Sequence, residues 1–355
     1  MGVFLGVMLN VSSLRITPKI RSLIAELDEF KGAWATLRTL APKRLPTLLR
    51  AATIESIGSS ARIEGSNLTD REVEQLLSNL EKRTFDTQNA QEVGGYELSM
   101  ALIFHSWEEF NLSEENIKKI HFHLLRCDRY ISLRSQYKTT PNSMRIFVNE
   151  GMQSGTLTET ATPSDTPRLM MEAVDWASKC MVSKQLHPLL VTAIFIIIFL
   201  RIYPFPDSNG QLSRILITLL LLRAGYAYVP YSSLERVFEQ RFVDYHSALQ
   251  RTLRTMSNSS PDWQPWVLFF LRALNQQMKR LARNVETEKI VVSSMPRHSV
   301  RIVEYAREHG RVTIGDFASS TGTSRNTLKP HFRHLVERKH LVMHGDGRGA
   351  WYALP

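Results

Sequence analysis

Between residues 188 and 223 the chain carries two stretches that are apolar on nearly every side, "PLLVTAIFIIIFLR" and "GQLSRILITLLLLR". Only a short polar loop separates them. The uninterrupted run "AIFIIIFL" covers 193–200, far short of the roughly 18 residues that a membrane span needs. A helix without a polar face belongs inside a protein core. The pair therefore predicts a mainly α-helical body in which loop 202–214 joins two buried helices.

The rest of the chain fits round that pair. Residues 1–90 read as helical. "LPTLLRAATIESIGSSARIEGS" has Pro46 near its first turn and Gly65 as the residue that ends the helix after Glu64. Thr69 and Glu72 then stand in capping-box register for a new start. Further helical stretches fill 91–285. The exception is "RSQYKTTPNSMRIFVNEGMQSGTLTETATPSDTP", whose short β-like runs and turn residues predict a hairpin flap over the helical core. The polar "ETEKIVVSSMPRHS" predicts a linker over 286–298, and 299–355 a small separate domain.

Composition narrows the class. The 355 residues suffice for two or three domains, and 43% apolar with 22% charged content is ordinary for a globular protein. Cys127 and Cys180 form no metal-type pair and read as buried small hydrophobes in a reducing, cytoplasmic setting. The N-terminus has no basic residue before Arg15 and no A-x-A signal, so neither a secretory leader nor a membrane association is expected. His121 and His123 lack a carboxylate or Cys at ligand spacing, which points to packed or surface histidines.

The charge is uneven. Residues 297–355 hold 10 Lys/Arg against 5 Asp/Glu, half of the net charge of +10, and 6 of the 11 histidines. This tail reads as helix, turn, helix and then a two-stranded wing round "GDGRG". Its third helix is capped by Thr323 or Ser324 and carries Arg325, Lys329, Arg333 and Arg338. A winged helix-turn-helix with that basic face suits DNA. A protein-binding wing with a solvated basic face is the alternative, and Pro330 should kink the helix that would enter a groove.

The most informative stretch is "YPFPDSNGQLSR" at 203–214. A tight turn opens into a helix, and helix N-termini bind anions through free N–H groups and the positive dipole end. The chain resembles the Fic family, whose members transfer AMP from ATP to a protein hydroxyl through the loop H-P-F-x-[D/E]-G-N-G-R-x-x-R. Pro204, Phe205, Asp207, Asn209, Gly210 and Arg214 fall in register. Tyr203, Ser208 and Gln211 replace the His, the first Gly and the first Arg. "SSARIEG" resembles the family's inhibitory pattern [S/T]-x-x-x-E-[G/N] through Ser60, Glu64 and Gly65. "RSQYKTTPN" is similar to its target-docking flap, and "HGDGRGAWYAL" to the wing of many relatives.

The resemblance implies a Fic-type helical core and a division of labour. Asp207 would hold Mg²⁺ on the phosphates of ATP, as suits a hard carboxylate oxygen. Ser208, Asn209, Gly210 and Gln211 would line the phosphate site, and Arg214 would pair with the terminal phosphate. Glu64 would compete for Arg214, since carboxylate and phosphate are rival partners for one guanidinium. Asp207 as a plain helix cap, and Glu64–Arg214 as a plain structural ion pair, remain open alternatives.

The three replacements carry a cost. A phenol with pKa near 10 is a poor base at neutral pH, and losing a base removes about 10²–10⁴ in rate. Gln211 forfeits a charged hydrogen bond worth about 1.5–3 kcal/mol. Ser208 adds a Cβ where the loop needs positive φ, at about 1–2 kcal/mol. The expectation is an ATP-binding AMP-transferase homologue of weak or no activity, with a hydroxyl-bearing protein or the chain itself as acceptor. The alternatives are a DNA-binding regulator whose core senses a ligand or dimerises, and a structural interaction module.

Overall fold

The computed structural model describes residues 11–40, 45–79, 87–127, 135–147, 155–294, 296–338 and 340–354. The chain divides into two compact units, Met1–Leu281 and Ala282–Pro355. Both are mainly helical, as expected.

The first unit opens with α1 (Pro18–Leu40), α2 (Leu45–Ile63) and α3 (Asp70–Asn79). Helix α2 stops where Gly65 turns the chain with φ of 101° and donates its N–H to the Arg62 carbonyl at 3.0 Å. Helix α3 starts from the expected capping box. The Thr69 N–H meets Glu72 Oε2 at 2.8 Å, and the Glu72 N–H meets Thr69 Oγ1 at 3.3 Å. Helices α4 (Gln88–Ser106) and α5 (Glu114–Leu124) follow, capped by Thr87 and Ser113. These N-terminal helices fall within the same compact unit as the helices that follow them up to Leu281.

The flap consists of β1 (Ser143–Phe147) and β2 (Gly155–Glu159), antiparallel in the register Ser143↔Glu159 to Phe147↔Gly155. The expected tip lies outside the described residues. Helix α6 (Thr166–Ser183) leads into the central pair, α7 (Pro188–Ile202) and α8 (Asn209–Arg223). Every residue of α7 from Leu189 to Ile202 is buried, as is α8 from Gln211 to Leu222. Each such Leu, Ile or Phe gains about 1.5–3 kcal/mol from leaving water. Trp266 Nε1 donates to the Ala193 carbonyl at 2.7 Å, so the indole of a later helix packs on α7 without an orphaned donor.

Helices α9 (Leu234–Gln240), α10 (Phe242–Leu253) and α11 (Gln264–Ser294) complete this part of the chain. Helix α11 extends as far as Ser294, into the segment expected as a linker over 286–298. That segment is polar, but it contains no Gly or Pro before Pro296 to break the backbone ladder.

The second unit contains α12 (Arg297–His309), α13 (Ile314–Thr321) and α14 (Arg325–Glu337), then β3 (Val342–His344) antiparallel to β4 (Trp351–Ala353). Its core gathers Ile302, Phe317, Leu328, Phe332, Leu335 and Tyr352. Ser324, one of the two expected caps, accepts the Thr327 N–H at 3.1 Å. Pro330 lies inside α14 without ending it.

Candidate functional site

Loop 203–208 sits between the C-terminus of α7 and the N-terminus of α8, on one wall of a cavity of about 600 Å³. Tyr203, Asp207, Ser208, Asn209, Gly210 and Gln211 all line it. Across from them stand Glu64, Gly65 and Ser66 from the turn after α2, and Gln88, Asn89, Gln91 and Glu92 from the start of α4. Helices α4 and α8 thus both bring N-terminal residues to one polar space.

Two residues of the loop are left-handed without being glycine. Tyr203 has φ 52° and ψ 60° as the C-cap of α7, and Ser208 has φ 60° and ψ 16° as the N-cap of α8. Such conformations cost of order 1–3 kcal/mol each. The positive φ anticipated at Ser208 is present. Its side chain makes no cap bond; its N–H instead donates to Asp207 Oδ1 at 2.6 Å.

Asn209 lines the cavity, and its side chain is turned to the loop's own backbone. It is fully buried, and its amide staples the loop. Oδ1 accepts the Phe205 N–H at 2.9 Å, while Nδ2 donates to the Phe205 carbonyl at 2.8 Å. Two more anchors come from outside the motif. His121 stacks on Phe205 at 3.9 Å and faces the Asp207 carbonyl through Nε2 at 3.4 Å, while Nδ1 accepts the Ser135 N–H. Burial lowers its pKa to about 4. The imidazole is therefore neutral, with its proton on Nε2, and serves as a packed scaffold.

Lys138, in the stretch before the flap, is the other anchor. Its Nζ donates to Asn142 Oδ1, Thr160 Oγ1 and the Ile202 carbonyl at 2.7–3.0 Å, and its N–H bonds the Pro204 carbonyl at 2.9 Å. Asn142 Nδ2 donates to the carbonyls of Tyr203 and Phe205. The root of the flap is thus fastened to the loop. Burial, followed by the nearby Arg201 charge, lowers the lysine pKa to about 8.

Arg214 lies behind the cavity wall, 2% exposed. Its Nε donates to Ser60 Oγ at 2.9 Å, and Nη2 reaches the Ser60 carbonyl at 3.2 Å and Glu64 Oε1 at 2.6 Å. Burial works against this charge, but the Glu64 carboxylate outweighs it, so the guanidinium is held more firmly protonated than usual. Glu64 is 42% exposed at the cavity and presses on the start of α8. A Cβ on Gly210 would stand only 2.3 Å from its Oε1. Glycine there lets a carboxylate settle against a helix N-terminus.

Tyr203 answers the question of the base. Burial, reinforced by the charges of Glu64 and Asp207, raises the pKa of its phenol. It stays protonated at neutral pH. Sequence reasoning passed over His121, Lys138 and Asn142 as supports of the loop. The turn residues "TTPN" beside Lys138 were the only local signal.

Comparison with known proteins agrees with this geometry. Residues 111–221, from before α5 into α8, match the Fic/DOC family. The protein adenylyltransferase Fic of Drosophila willistoni is 26% identical over 207 residues, 57% of this chain and 38% of its own length. That of Drosophila virilis is 23% identical over 296 residues, 82% of this chain and 57% of its own. The chain thus spans only about 40–60% of the length of these relatives. Among solved structures, a Fic family protein from Desulfovibrio desulfuricans shares the fold with a TM-score of 0.65 at 24% identity, over 96% of this chain and 97% of that one. Fic-1 from C. elegans gives 0.55 at 18% identity, over 76% and 72%. With the loop and the opposing Glu64 placed round one cavity, the chain carries a Fic/DOC-family domain over residues 111–221.

Proposed function

We propose that the chain is a Fic-type protein adenylyltransferase homologue that binds ATP in this cavity but transfers AMP weakly or not at all. One observation carries the nucleotide half: an internal carboxylate already occupies an anion seat made by Gly210, the start of α8 and Arg214. A phosphate group suits the same partners and would have to displace Glu64. The cavity volume of about 600 Å³ is in the range of small-molecule sites. Asp207, exposed beside the loop, has the hard oxygen that Mg²⁺ favours and would hold the ion, which would screen phosphate charge.

The weak-transfer half rests on Tyr203. Attack of a protein hydroxyl on the α-phosphorus forms one P–O bond and expels diphosphate, and the hydroxyl proton must pass to a base. A phenol with a raised pKa keeps its own proton and accepts none. Gln211 contributes a neutral amide where a cation would hold the leaving charge. The test is labelled-ATP transfer by Glu64→Ala, alone and combined with Tyr203→His, Ser208→Gly and Gln211→Arg. The expected result is near-background labelling from the first and at least a 10²-fold gain from the combination, the lower end for a restored base. Strong labelling by the unaltered chain would refute the proposal.

The second unit favours an additional role in binding DNA. Helix α14 buries Leu328, Phe332 and Leu335 and exposes Arg325, Asn326, Lys329 and Arg333. A winged helix would offer this basic face to phosphates. Gel shifts should weaken steeply with salt, and replacing Lys329 and Arg333 by Ala should flatten the salt slope by about two. Binding that ignores salt would remove this role.

A further inference from the structure

The Glu64–Arg214 contact depends on where the end of α2 is held, and that placement has its own machinery. Arg62 stands two residues before Glu64, so its side chain leaves the helix on another face, away from the cavity. Its Nε meets Glu239 Oε1 at 2.5 Å, and Nη2 meets Glu239 Oε2 at 3.1 Å, a two-pronged pairing with α9. Nη2 also reaches Asp70 Oδ1 at 2.9 Å, the first residue of α3, and Nη1 donates to the Leu68 carbonyl at 2.6 Å. One guanidinium therefore ties the end of α2, the turn that follows it and two neighbouring helices together.

The local sequence makes room for that side chain. Gly58 lies one turn earlier on the same face, and a Cβ there would come within 2.8 Å of both Arg62 Nη1 and Asp70 Oδ1. The Arg62 side chain is 18% exposed and Glu239 23%, so water screens the pair only partly. By contrast, the Glu64 turn is held by three backbone bonds, from the amides of Glu64, Gly65 and Ser66 to carbonyls of residues 61 and 62.

We infer that Arg62 is the positioning residue of the inhibitory contact: its clamp on Glu239 and Asp70 fixes the end of α2 so that Glu64 reaches Arg214. The nucleotide consequence rests on the proposed ATP site; the clamp itself does not. Loosening the clamp lets the 61–66 turn move and withdraws the carboxylate from Arg214, although neither residue of that pair has been altered.

The test uses the full chain with Arg62→Gln, Glu239→Gln, Glu64→Ala and the double variant Arg62→Gln with Glu64→Ala. Hydrogen exchange by mass spectrometry needs no ligand. The expected result is faster exchange over 61–66 in both clamp variants, with α7 unchanged. Mg-ATP titration should then show binding about 5–10-fold tighter than wild type for Arg62→Gln, at the lower end of typical site–site coupling. In the Glu64→Ala background the same substitution should add nothing. Unchanged exchange over 61–66, or exchange raised throughout the unit, would overturn the inference. So would tighter ATP binding in Glu64→Ala but not in Arg62→Gln. If exchange rises as expected while Glu64→Ala leaves ATP binding unchanged or absent, the clamp stands and the nucleotide-site proposal falls.

Discussion

Replacing Glu64 by Ala should make the protein less stable alone and more responsive to Mg-ATP. Arg214 is 2% exposed, and the Glu64 carboxylate lies 2.6 Å from it. Removing one member of a fully buried pair costs about 3–5 kcal/mol, while exposed pairs contribute about 0–1 kcal/mol. Glu64 is 42% exposed, and both Ser60 bonds to Arg214 survive the change. The expected loss is therefore intermediate, about 1–2 kcal/mol. For a unit of the size of Met1–Leu281 that corresponds to a melting point lower by roughly 2–4 °C. Nucleotide acts in the opposite direction. At 100 times its Kd, Mg-ATP would stabilise the variant by about 2.7 kcal/mol, whereas a wild type with tenfold weaker binding gains about 1.4 kcal/mol at the same concentration. The gap between the two proteins should narrow by about 2–3 °C on adding Mg-ATP. Thermal unfolding followed by far-UV circular dichroism, with and without nucleotide, reads both effects. A variant that melts at or above wild type without nucleotide, or equal gains from Mg-ATP in both proteins, would refute the reasoning.

Two further outcomes follow from the same geometry. Gly210→Ala should push Glu64 aside, because the new Cβ would stand 2.3 Å from the carboxylate; it should lower the melting point by about as much as Glu64→Ala, and the double variant should lose no more than either single one. Stability should also fall in acid between pH 6.5 and about 4. Burial holds His121 and His246 at about 4, so the unfolded chain takes up protons below 6.5 that the folded one refuses, and their contribution is complete above 6.5 and lost as pH falls. Denaturant unfolding across that window should show a slope that His121→Gln reduces; an unchanged slope would mean that this imidazole titrates normally.

How much was legible in the sequence depended on how local the deciding interaction was. The apolar runs on both sides of loop 202–214 announced buried helices because burial of a whole helix leaves its mark on every turn. The Thr69–Glu72 capping box and the turn at Gly65 were readable for the same reason: partners three residues apart carry their own signal. Glu64 and Arg214 could be brought together before the fold was known only through a family resemblance, since 150 residues separate them. Nothing local in "SSARIEG" says that Arg62 reaches Glu239 across 177 positions, or that Lys138 ends under the Ile202 carbonyl.

The segment 286–298 shows the limit from the other side. Its polarity reads as a linker, yet helix α11 continues to Ser294, since polar side chains are compatible with a helix and no Pro before Pro296 removes a backbone donor. Asn209 shows it within the site. A motif position fixes the residue type, but only the folded loop decides whether an amide faces a ligand or its own backbone. Here it closes on Phe205, since a buried amide must find partners and the Phe205 N–H and carbonyl lie 2.8–2.9 Å away. Sequence alone thus determined the helical body, its caps and the place of the loop, through periodicity and short-range hydrogen bonding. Tertiary structure decided which side chains meet at the cavity, because those meetings require distant segments to be packed and their polar groups to be satisfied together.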